Sequence, residues 1–522
     1  MRWELQGRGP LAPRLQEARV PDVRNHFRKT VMRKSLLSLQ ERLDRSPRAW
    51  LLLGMLLLAA THIRAPFAAL AWIAPVPWLR YLRLTHGWRS RTAFGVALFA
   101  GWTLATAKIA SAPTFLALAP LFALPIAVAQ GGAYAAWAAL RPRLSPALAV
   151  WTFAVGAAIG EWLLHTVTPF GSWGATAYTQ LDDLPLLQVA SIAGIAGVGI
   201  TVNLVGVSVE GALAREDRWT RTLCVSVLLA VLAHALGTAR LAVADLGERP
   251  GVVVAAIATD SDVSGLPLPS RERTHAWDEI LLSRTRDAAR GGAVLAVWPE
   301  AATLVWPDEE ATWVDSMNRA ARDIGIDIMA AYVLPTSTTP LAYRNEYRLF
   351  LHDGDAVPPY AKHHPVPGEP AIAGTGPAPI MVREWGRLSG AICYDYDFPA
   401  LARERAGADL VAVPASDWRG IDPVHAQMAA VRAIEVGHSL LRATRFGLSI
   451  GVDPFGRPRA WQSAFEPGSG VMLAQLPRAR VGTLYALWGD APLALAAGMV
   501  ALLVAVELLR ARARARTLTV PR

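Results

Sequence analysis

Three ionisable residues stand where apolar runs end or in the loops that follow them. Glu300 closes Val294-Leu-Ala-Val-Trp-Pro-Glu300, and Lys362 lies in Tyr360-Ala-Lys-His-His-Pro-Val-Pro-Gly-Glu369. Cys393 ends Leu388-Ser-Gly-Ala-Ile-Cys393, ahead of Tyr394 and Asp395. A thiol at its ordinary pKa is mostly protonated at neutral pH, so a nucleophilic cysteine needs a base or a nearby cation. Glu300 has the chemistry to take the thiol proton and later hand it to a leaving group. Lys362 has the charge to hold a thiolate and to stabilise the oxyanion of a tetrahedral intermediate. Each alone has an ordinary reading as a solvated glutamate, a surface lysine or an inert buried thiol. It is their succession within one soluble-looking island, residues 250–487, that points to covalent catalysis.

Other residues near these three carry weaker signals. Glu369 reads either as a second carboxylate that orients Lys362 or as a loop acid. Asp395 and Tyr394 follow Cys393 directly, and Tyr394 either lines its surroundings or packs beside it. His363 and His364 read as loop histidines, since Glu300 already fills the role of base. Cys224 lies in the apolar run 222–236 and reads as a small buried hydrophobe. No Cys/His cluster at metal-ligand spacing occurs, so neither a metal nor another cofactor is expected.

The elements around the island set its surroundings. Hydrophobic residues make up 53% of the chain, and most of the excess lies before residue 245. Apolar segments of spanning or near-spanning length occur at 49–61, 66–79, 92–109, 113–139, 147–165, 186–213, 221–242 and 491–509. The first two are short and read equally as a broken pair around His62-Ile-Arg-Ala-Pro66. The net charge of +10 sits largely in the flanks: residues 1–49 carry twelve Arg/Lys against five acids, and the end reads Arg510-Ala-Arg-Ala-Arg-Ala-Arg516. Basic residues also cluster at 80–91, 141–143 and 215–221, whereas 166–185 has no Lys or Arg. That alternation predicts about eight spans with both termini cytoplasmic. It places the island between spans seven and eight on the outer face. Lys108 reads as a snorkelling residue near an outer span end. The first apolar run is expected to be a retained anchor, because no small-residue cleavage site follows it. No aromatic-basic recognition motif is present, which argues against nucleic-acid binding.

The expected organisation is therefore a basic cytoplasmic tail (1–48), seven transmembrane helices (49–245), a catalytic domain (250–487), an eighth transmembrane helix (491–510) and a second basic tail (511–522). Within the island, short apolar runs alternate with helical stretches, which predicts an α/β layered domain. Strands are expected at Val252–Ala258, Ala293–Trp298, Ile326–Leu334, Tyr347–His352, Arg387–Ile392, Leu410–Pro414, Ser439–Thr444, Gly447–Val452 and Val471–Leu476. Helices are expected at 271–290, 309–324, 398–406 and 423–437.

The order Trp-Pro-Glu300, then Tyr-x-Lys362-x-His, then Cys393-Tyr-Asp resembles the Glu-Lys-Cys triad of the nitrilase, or carbon–nitrogen hydrolase, superfamily. Val411-Ala-Val-Pro-Ala-Ser-Asp-Trp418, Arg432-Ala-Ile-Glu435, Leu441-Arg-Ala-Thr444 and Gly451-Val-Asp-Pro-Phe-Gly456 look like its later segments. Several spans, such a domain and one last span together resemble the apolipoprotein N-acyltransferases. Glu161-Trp-Leu163, Ser172-Trp173 and Tyr178-Thr-Gln180 look like that family's membrane half. Three stretches depart from its usual pattern. His364-Pro-Val-Pro-Gly-Glu369 is one residue short and lacks a Phe, Asp395 stands where Glu is usual, and Ser416-Asp-Trp-Arg-Gly420 is reduced. These differences fall on the pocket and its lid, and leave the three catalytic positions intact.

The resemblance implies an αββα sandwich with Glu300, Lys362 and Cys393 as its catalytic triad, supported by Glu369, Tyr394, Asp395, Trp418 and Trp173. It implies an acyl chain taken from a membrane phospholipid onto Cys393 as a thioester. The chain would then pass to the N-terminal amine of a diacylglyceryl-cysteine lipoprotein. The setting would be a bacterial inner membrane, with the enzyme a multi-pass monomer. Both substrates are lipid-anchored, so a thiol held at the membrane surface meets them at high effective concentration. Transfer instead of hydrolysis requires water to be kept from the thioester. Trp173 reads as an interfacial anchor or as part of a lipid access route. Two other readings stand beside this one: a membrane-tethered amidase that hydrolyses a C–N bond with the same three residues, and a degenerate, non-enzymatic binding module.

Overall fold

The computed structural model describes residues 40–64, 67–215, 218–245, 251–263, 265–466 and 470–518. The basic segment 1–39 and the last residues, 519–522, lie outside the described residues. In the N-terminal half, helices run at Pro47–Thr61 (α1), Val76–Leu84 (α2), Trp88–Ala107 (α3), Pro113–Leu140 (α4), Pro146–Val167 (α5), Ala190–Leu213 (α6) and Trp219–Asp245 (α7). Among the described residues, five helices are long and apolar enough to cross a membrane: Leu116–Arg143, Pro146–Val167, Ala190–Leu213, Trp219–Ala244 and Ala491–Arg514. Their outer faces expose large side chains such as Leu121, Val128, Leu228, Leu236, Leu495 and Leu502. Such continuous apolar surface suits contact with lipid.

Three expectations about this half are corrected. The segment 66–79 is not one helix: it forms Ala68–Ala71 and then α2. Pro75 and Pro77 account for the break, since proline lacks an N–H and is tolerated only where a helix begins. Lys108 does not snorkel; its ammonium donates to the carbonyls of Ala59, His62 and Arg64 at 2.6, 2.6 and 2.9 Å, where α1 ends. It thus satisfies acceptors that a helix C-terminus leaves unpaired. Cys224 is exposed on α7, not buried among other side chains.

All nine strands and four helices expected of the island form, although the strand expected from Tyr347 begins six residues earlier, at Leu341. The domain holds two sheets. One has the order β13-β1-β2-β4-β5-β6, with β3 on β4; the other runs β12-β11-β10-β9-β8-β7. Here β1 is Gly251–Ile257, β2 Leu295–Val297, β3 Thr303–Leu304, β4 Asp327–Thr338, β5 Leu341–Phe350 and β6 Tyr360–Ala361. The second sheet uses β7 Met381–Arg383, β8 Gly386–Gly390, β9 Leu410–Ser416, β10 Ser439–Arg445, β11 Leu448–Val452 and β12 Pro458–Ser463, and β13 is Val471–Pro477.

Alternation along the strands sorts the layers. Val254, Val297 and Met329 of the first sheet meet Leu388, Leu410 and Leu441 of the second in one core. The intervening residues Ala255, Ala296 and Ile328 turn outward to helices Arg271–Arg290 (α8) and Glu310–Ile324 (α9). On the far side, Val411, Val413 and Leu440 pack on Pro399–Glu404 (α10) and Val424–Val436 (α11). The result is the αββα layering. A buried Leu or Val contributes about 1.5–3 kcal/mol, so the seam between the sheets fixes the position of Glu300 relative to Cys393.

The chain returns to the apolar half through Ala491–Leu518 (α12), which stays helical through the arginine-rich stretch expected to be a separate tail. The two halves also join directly. Met428, Val431 and Ile434 of α11 share a core with Tyr178, Ile195 and Val198. The helix of α6 is broken at Ala193 and Gly194, where Gly194 takes φ +61°. The freed N–H of Ile195 donates to Glu435 Oε1 at 2.8 Å. A β-carbon at Gly194 would stand 2.6 Å from the Tyr485 ring, so both the conformation and the space call for glycine.

Candidate active site

Each residue of the expected triad follows a strand that points at the same place. Glu300 lies just beyond β2, and its N–H donates across the sandwich to the Ala415 carbonyl at 3.2 Å. Lys362 follows β6, held by its N–H on the Asn345 carbonyl at 2.8 Å. Cys393 opens a short 3-10 turn, Cys393–Asp397, beyond β8. It takes φ +46°, a conformation an L residue adopts at a cost, often where a site demands one orientation. All three are buried, with 4%, 1% and 4% exposure for Glu300, Lys362 and Cys393.

Lys362 Nζ donates to Glu300 Oε1 at 2.8 Å and to Glu369 Oε2 at 2.7 Å. Glu369 thus sits against the ammonium and not free in a loop, and its Oε2 also accepts the Val366 N–H at 2.9 Å, which closes the loop around the lysine. Asn345, which the sequence reading did not single out, bridges both carboxylates, reaching Glu300 Oε1 at 2.8 Å and Glu369 Oε1 at 3.0 Å. Its only signal is a polar residue at a buried position of β5, whose neighbours along the strand face the core.

The charges explain one another. Burial pushes the Glu300 carboxyl up, but the Lys362 ammonium outweighs it, helped by hydrogen bonds from Lys362, Cys393 and Asn345, and holds Glu300 below its usual range. Burial opposes the Lys362 charge, yet Glu300, Glu369 and Cys393 raise its pKa well above normal. Burial and then Glu300 push the Cys393 thiol well up, against the pull of Lys362 and Arg442. The resting state is thus a thiol beside an ionised carboxylate and a permanent ammonium. A proton passing from Cys393 to Glu300 leaves the net charge of the cluster unchanged, and the ammonium remains to meet a developing oxyanion.

The flanking residues do structural work on this geometry. Asp395 Oδ1 accepts the N–H groups of His363 and His364 at 3.0 and 2.7 Å, and its Oδ2 accepts Tyr360 O–H at 3.0 Å. It pins the segment that follows Lys362. His363 and His364 are loop residues as expected: His363 bonds Tyr360, and His364 stacks on Phe398. Tyr394 O–H reaches the Pro169 carbonyl at 2.9 Å, and Trp418 Nε1 reaches Ile109 O at 2.7 Å. Trp173 Nε1 donates to Asp397 Oδ2 at 2.8 Å, and Ser172 N–H and O–H both reach the Asp397 carbonyl, at 3.0 and 2.6 Å. The turn that carries Cys393 is therefore bonded to the loop between α5 and α6.

On its other side Cys393 meets a second ionic set. Polar atoms of Cys393, Asp417 and His425 lie within 4.8 Å of one another. Arg442 bonds both oxygens of Asp417 at 2.8 Å, so two carboxylates (Asp397, Asp417) face two cationic groups (Arg442, His425). Self-balanced charge of this kind leaves no demand for a metal there. Asp417, Arg442 and His425 fall in stretches the sequence reading had marked only as segments, without roles.

Comparison with known proteins is consistent across both halves. The family model described as carbon–nitrogen hydrolase matches residues 245–486. The one described as apolipoprotein N-acyltransferase N-terminal domain matches 53–208. An apolipoprotein N-acyltransferase of Gloeobacter violaceus is 30% identical over 487 residues, 81% of this chain and 87% of that one. Those of Rhodopseudomonas palustris and Bradyrhizobium diazoefficiens are 29% and 28% identical, covering 70% and 68% of this chain and 74% and 72% of theirs. Among solved structures, an amidase from Nesterenkonia sp. is 24% identical, with a TM-score of 0.37, over 47% of this chain and 96% of its own. From a relative 30% identical along most of its length, and from family matches in both halves, the chain belongs to the apolipoprotein N-acyltransferase family of the carbon–nitrogen hydrolase superfamily.

Proposed function

We propose that this membrane protein moves an acyl chain from a phospholipid, through a thioester on Cys393, to the N-terminal amine of a diacylglyceryl-cysteine lipoprotein. Cys393 Sγ attacks the ester carbonyl while Glu300 takes the thiol proton. Lys362 stabilises the oxyanion, the C–O bond breaks, and Glu300 returns the proton to the lysophospholipid oxygen. The acceptor amine then attacks the thioester, its proton goes to Glu300, the C–S bond breaks, and the thiol is restored. Lys362 acts as a fixed charge throughout, because its two carboxylate partners keep it protonated.

The observation that carries this reading is the bonding of the nucleophile's own turn to the apolar half, through Asp397 to Ser172 and Trp173. A small-amide hydrolase has no need of its thiol at such a junction. The charge alternation of the loops supports about eight crossings, the pieces 68–71 and 76–84 together taking the place of the second. It supports a domain on the outer face of a bacterial inner membrane, with both termini cytoplasmic. A monomer suffices, because the charged cluster is completed within one chain.

The test is to incubate purified protein with labelled phospholipid and look for an acyl adduct on Cys393. That adduct should discharge onto a diacylated lipopeptide. No adduct, or discharge to water alone, would overturn the reading.

A further inference from the structure

The ionic set on the far side of Cys393 is not used by the Glu300, Lys362 and Cys393 chemistry, yet it lies against Cys393 and bonds the end of the turn that Cys393 begins. His425 Nδ1 stands 2.7 Å from Asp417 Oδ1, and Nε2 stands 3.1 Å from Asp397 Oδ1. Each ring nitrogen faces a carboxylate oxygen, so the imidazole stands between Asp417 and Asp397 and can bond both. Arg442 Nη2, 2.9 Å from Nδ1, converges on the same Asp417 oxygen. Asp397 ends the turn that Cys393 begins, and its second oxygen takes the Trp173 indole N–H. The Trp173 ring packs on the imidazole, 5.6 Å between centroids. His425 is buried, as are Asp397, Asp417 and Arg442.

We infer that His425 is a positioning residue for acyl transfer, clamping Asp397 to Asp417 so that the state of the membrane-side loop at Trp173 is felt at the Cys393 turn. Without that clamp, Asp397 would be held only from the membrane side, and the turn would follow the loop without reference to β9 and its Asp417. With it, the thiol is fixed to both halves at once. A lipid that shifts Trp173 would shift the nucleophile, and a correctly seated one would align it. Burial opposes the charge on His425, but Asp397 and Asp417 outweigh it and raise its pKa to about 9. The groups facing it from the packed elements are Asp397 and the Cys393 thiol on the turn, Asp417 after β9 and Arg442 on β10. The clamp is thus present at neutral pH and is lost as pH rises through about 9.

This inference rests on Cys393 being the nucleophile. The experiment is single-turnover formation of the Cys393 thioester from labelled phospholipid in the full chain, for wild type, His425→Gln, Trp173→Phe and the double variant. Residues acting as one unit show strongly non-additive losses. Each single change is therefore expected to slow the reaction by about fivefold or more, and the double change to be within about twofold of the slower single. The wild-type advantage over Trp173→Phe should also shrink above about pH 9. A purely structural role would not produce that pH-dependent ratio. Losses that multiply, or a His425→Gln rate within about twofold of wild type, overturn the clamp and leave the nucleophile reading standing. No Cys393 adduct in the unmutated chain overturns both. If His425→Gln does not fold, Asp397→Asn replaces it in the cycle, with the same pattern expected and the same multiplicative result decisive against it.

Discussion

Glu369 faces Glu300 across a single ammonium: the two carboxylates take Lys362 Nζ at 2.7 and 2.8 Å and share the Asn345 amide. One carboxylate is free to accept a proton because the other keeps the lysine charged and in place. The two changes to glutamine should therefore differ. Glu300→Gln removes the base and is expected to slow thioester formation by about 10²–10⁴-fold. Glu369→Gln keeps an acceptor but loses the charge, and a loss of about tenfold or more is expected, as for other groups that orient a reacting residue. Quantifying acyl-Cys393 by mass spectrometry over time checks both. Equal losses would mean Glu369 does more than orient.

The pH profile follows from the same cluster. As the proposed base, Glu300 must be ionised, and it is held below the usual carboxylate range, chiefly because Lys362 outweighs the effect of burial. Thioester formation should therefore persist as pH falls to the ordinary carboxylate value and fail only below it. Lys362, raised well above its usual value, stays charged across the neutral and moderately alkaline range. In Lys362→Met, burial acts on Glu300 without an opposing cation, so the residual activity should show its acid limb shifted upward by a unit or more. Rate measurements of the residual reaction between about pH 4 and 8 separate the cases. An unmoved limb would remove Glu300 as the titrating base.

Asp395 tests whether the shorter side chain at this position still serves the site. Its carboxylate holds the N–H groups of His363 and His364 and the hydroxyl of Tyr360. Asp395→Ala leaves the half-buried N–H groups of His363 and His364 without this acceptor, at up to about 1–3 kcal/mol each. It should lower the thermal midpoint and, by loosening the segment after Lys362, slow acylation. Asp395→Asn keeps an acceptor and should be milder in both assays. Differential scanning fluorimetry beside the adduct assay gives the two readouts.

How much of this was legible in the sequence differs by part. The domain's strands were, because buried apolar runs alternating with amphipathic helices leave little other choice. The strands that escaped, Thr303–Leu304, Tyr360–Ala361, Met381–Arg383 and Pro458–Ser463, are two or three residues long or lie polar at a sheet edge. Hydropathy found the apolar helices, yet of the eight expected spans five are long and apolar enough to cross a membrane among the described residues, and it could not see that Pro75 and Pro77 divide 66–79, or that Lys108 turns inward to the end of α1. Glu300 and Cys393 stand out because each ends an apolar run, and Lys362 because it falls between them in a known order. Asn345 and His425 carry no local pattern, and Asp417 and Arg442 lie in recognisable segments that give them no role, because each contacts the site through folding alone. Glu369 had two readings, and only its position against Lys362 Nζ separates them.

The junction of the two halves offers the last prediction. Trp418 and Gly420 sit in the loop after β9, and Trp418 Nε1 donates to the Ile109 carbonyl at the end of α3, at 2.7 Å. A β-carbon on Gly420 would fall 1.9 Å from that same carbonyl oxygen, a distance no side chain can occupy, with the Ile109 carbonyl carbon at 2.7 Å and Trp418 Nε1 at 2.8 Å behind it. Gly420→Ala must therefore push the loop off the apolar half, whereas Trp418→Phe removes one hydrogen bond worth about 0.5–1.5 kcal/mol and keeps most of the packing. Because the same loop carries Asp417, the displaced loop should also disturb Arg442 and His425 beside Cys393. The expected order of thioester formation is wild type, then Trp418→Phe with a loss of a few fold, then Gly420→Ala with about tenfold or more. Limited proteolysis should show earlier cleavage near the loop in Gly420→Ala alone. If Gly420→Ala matched wild type in both assays, the close approach of the loop to Ile109 would have no part in holding the thiol at the membrane.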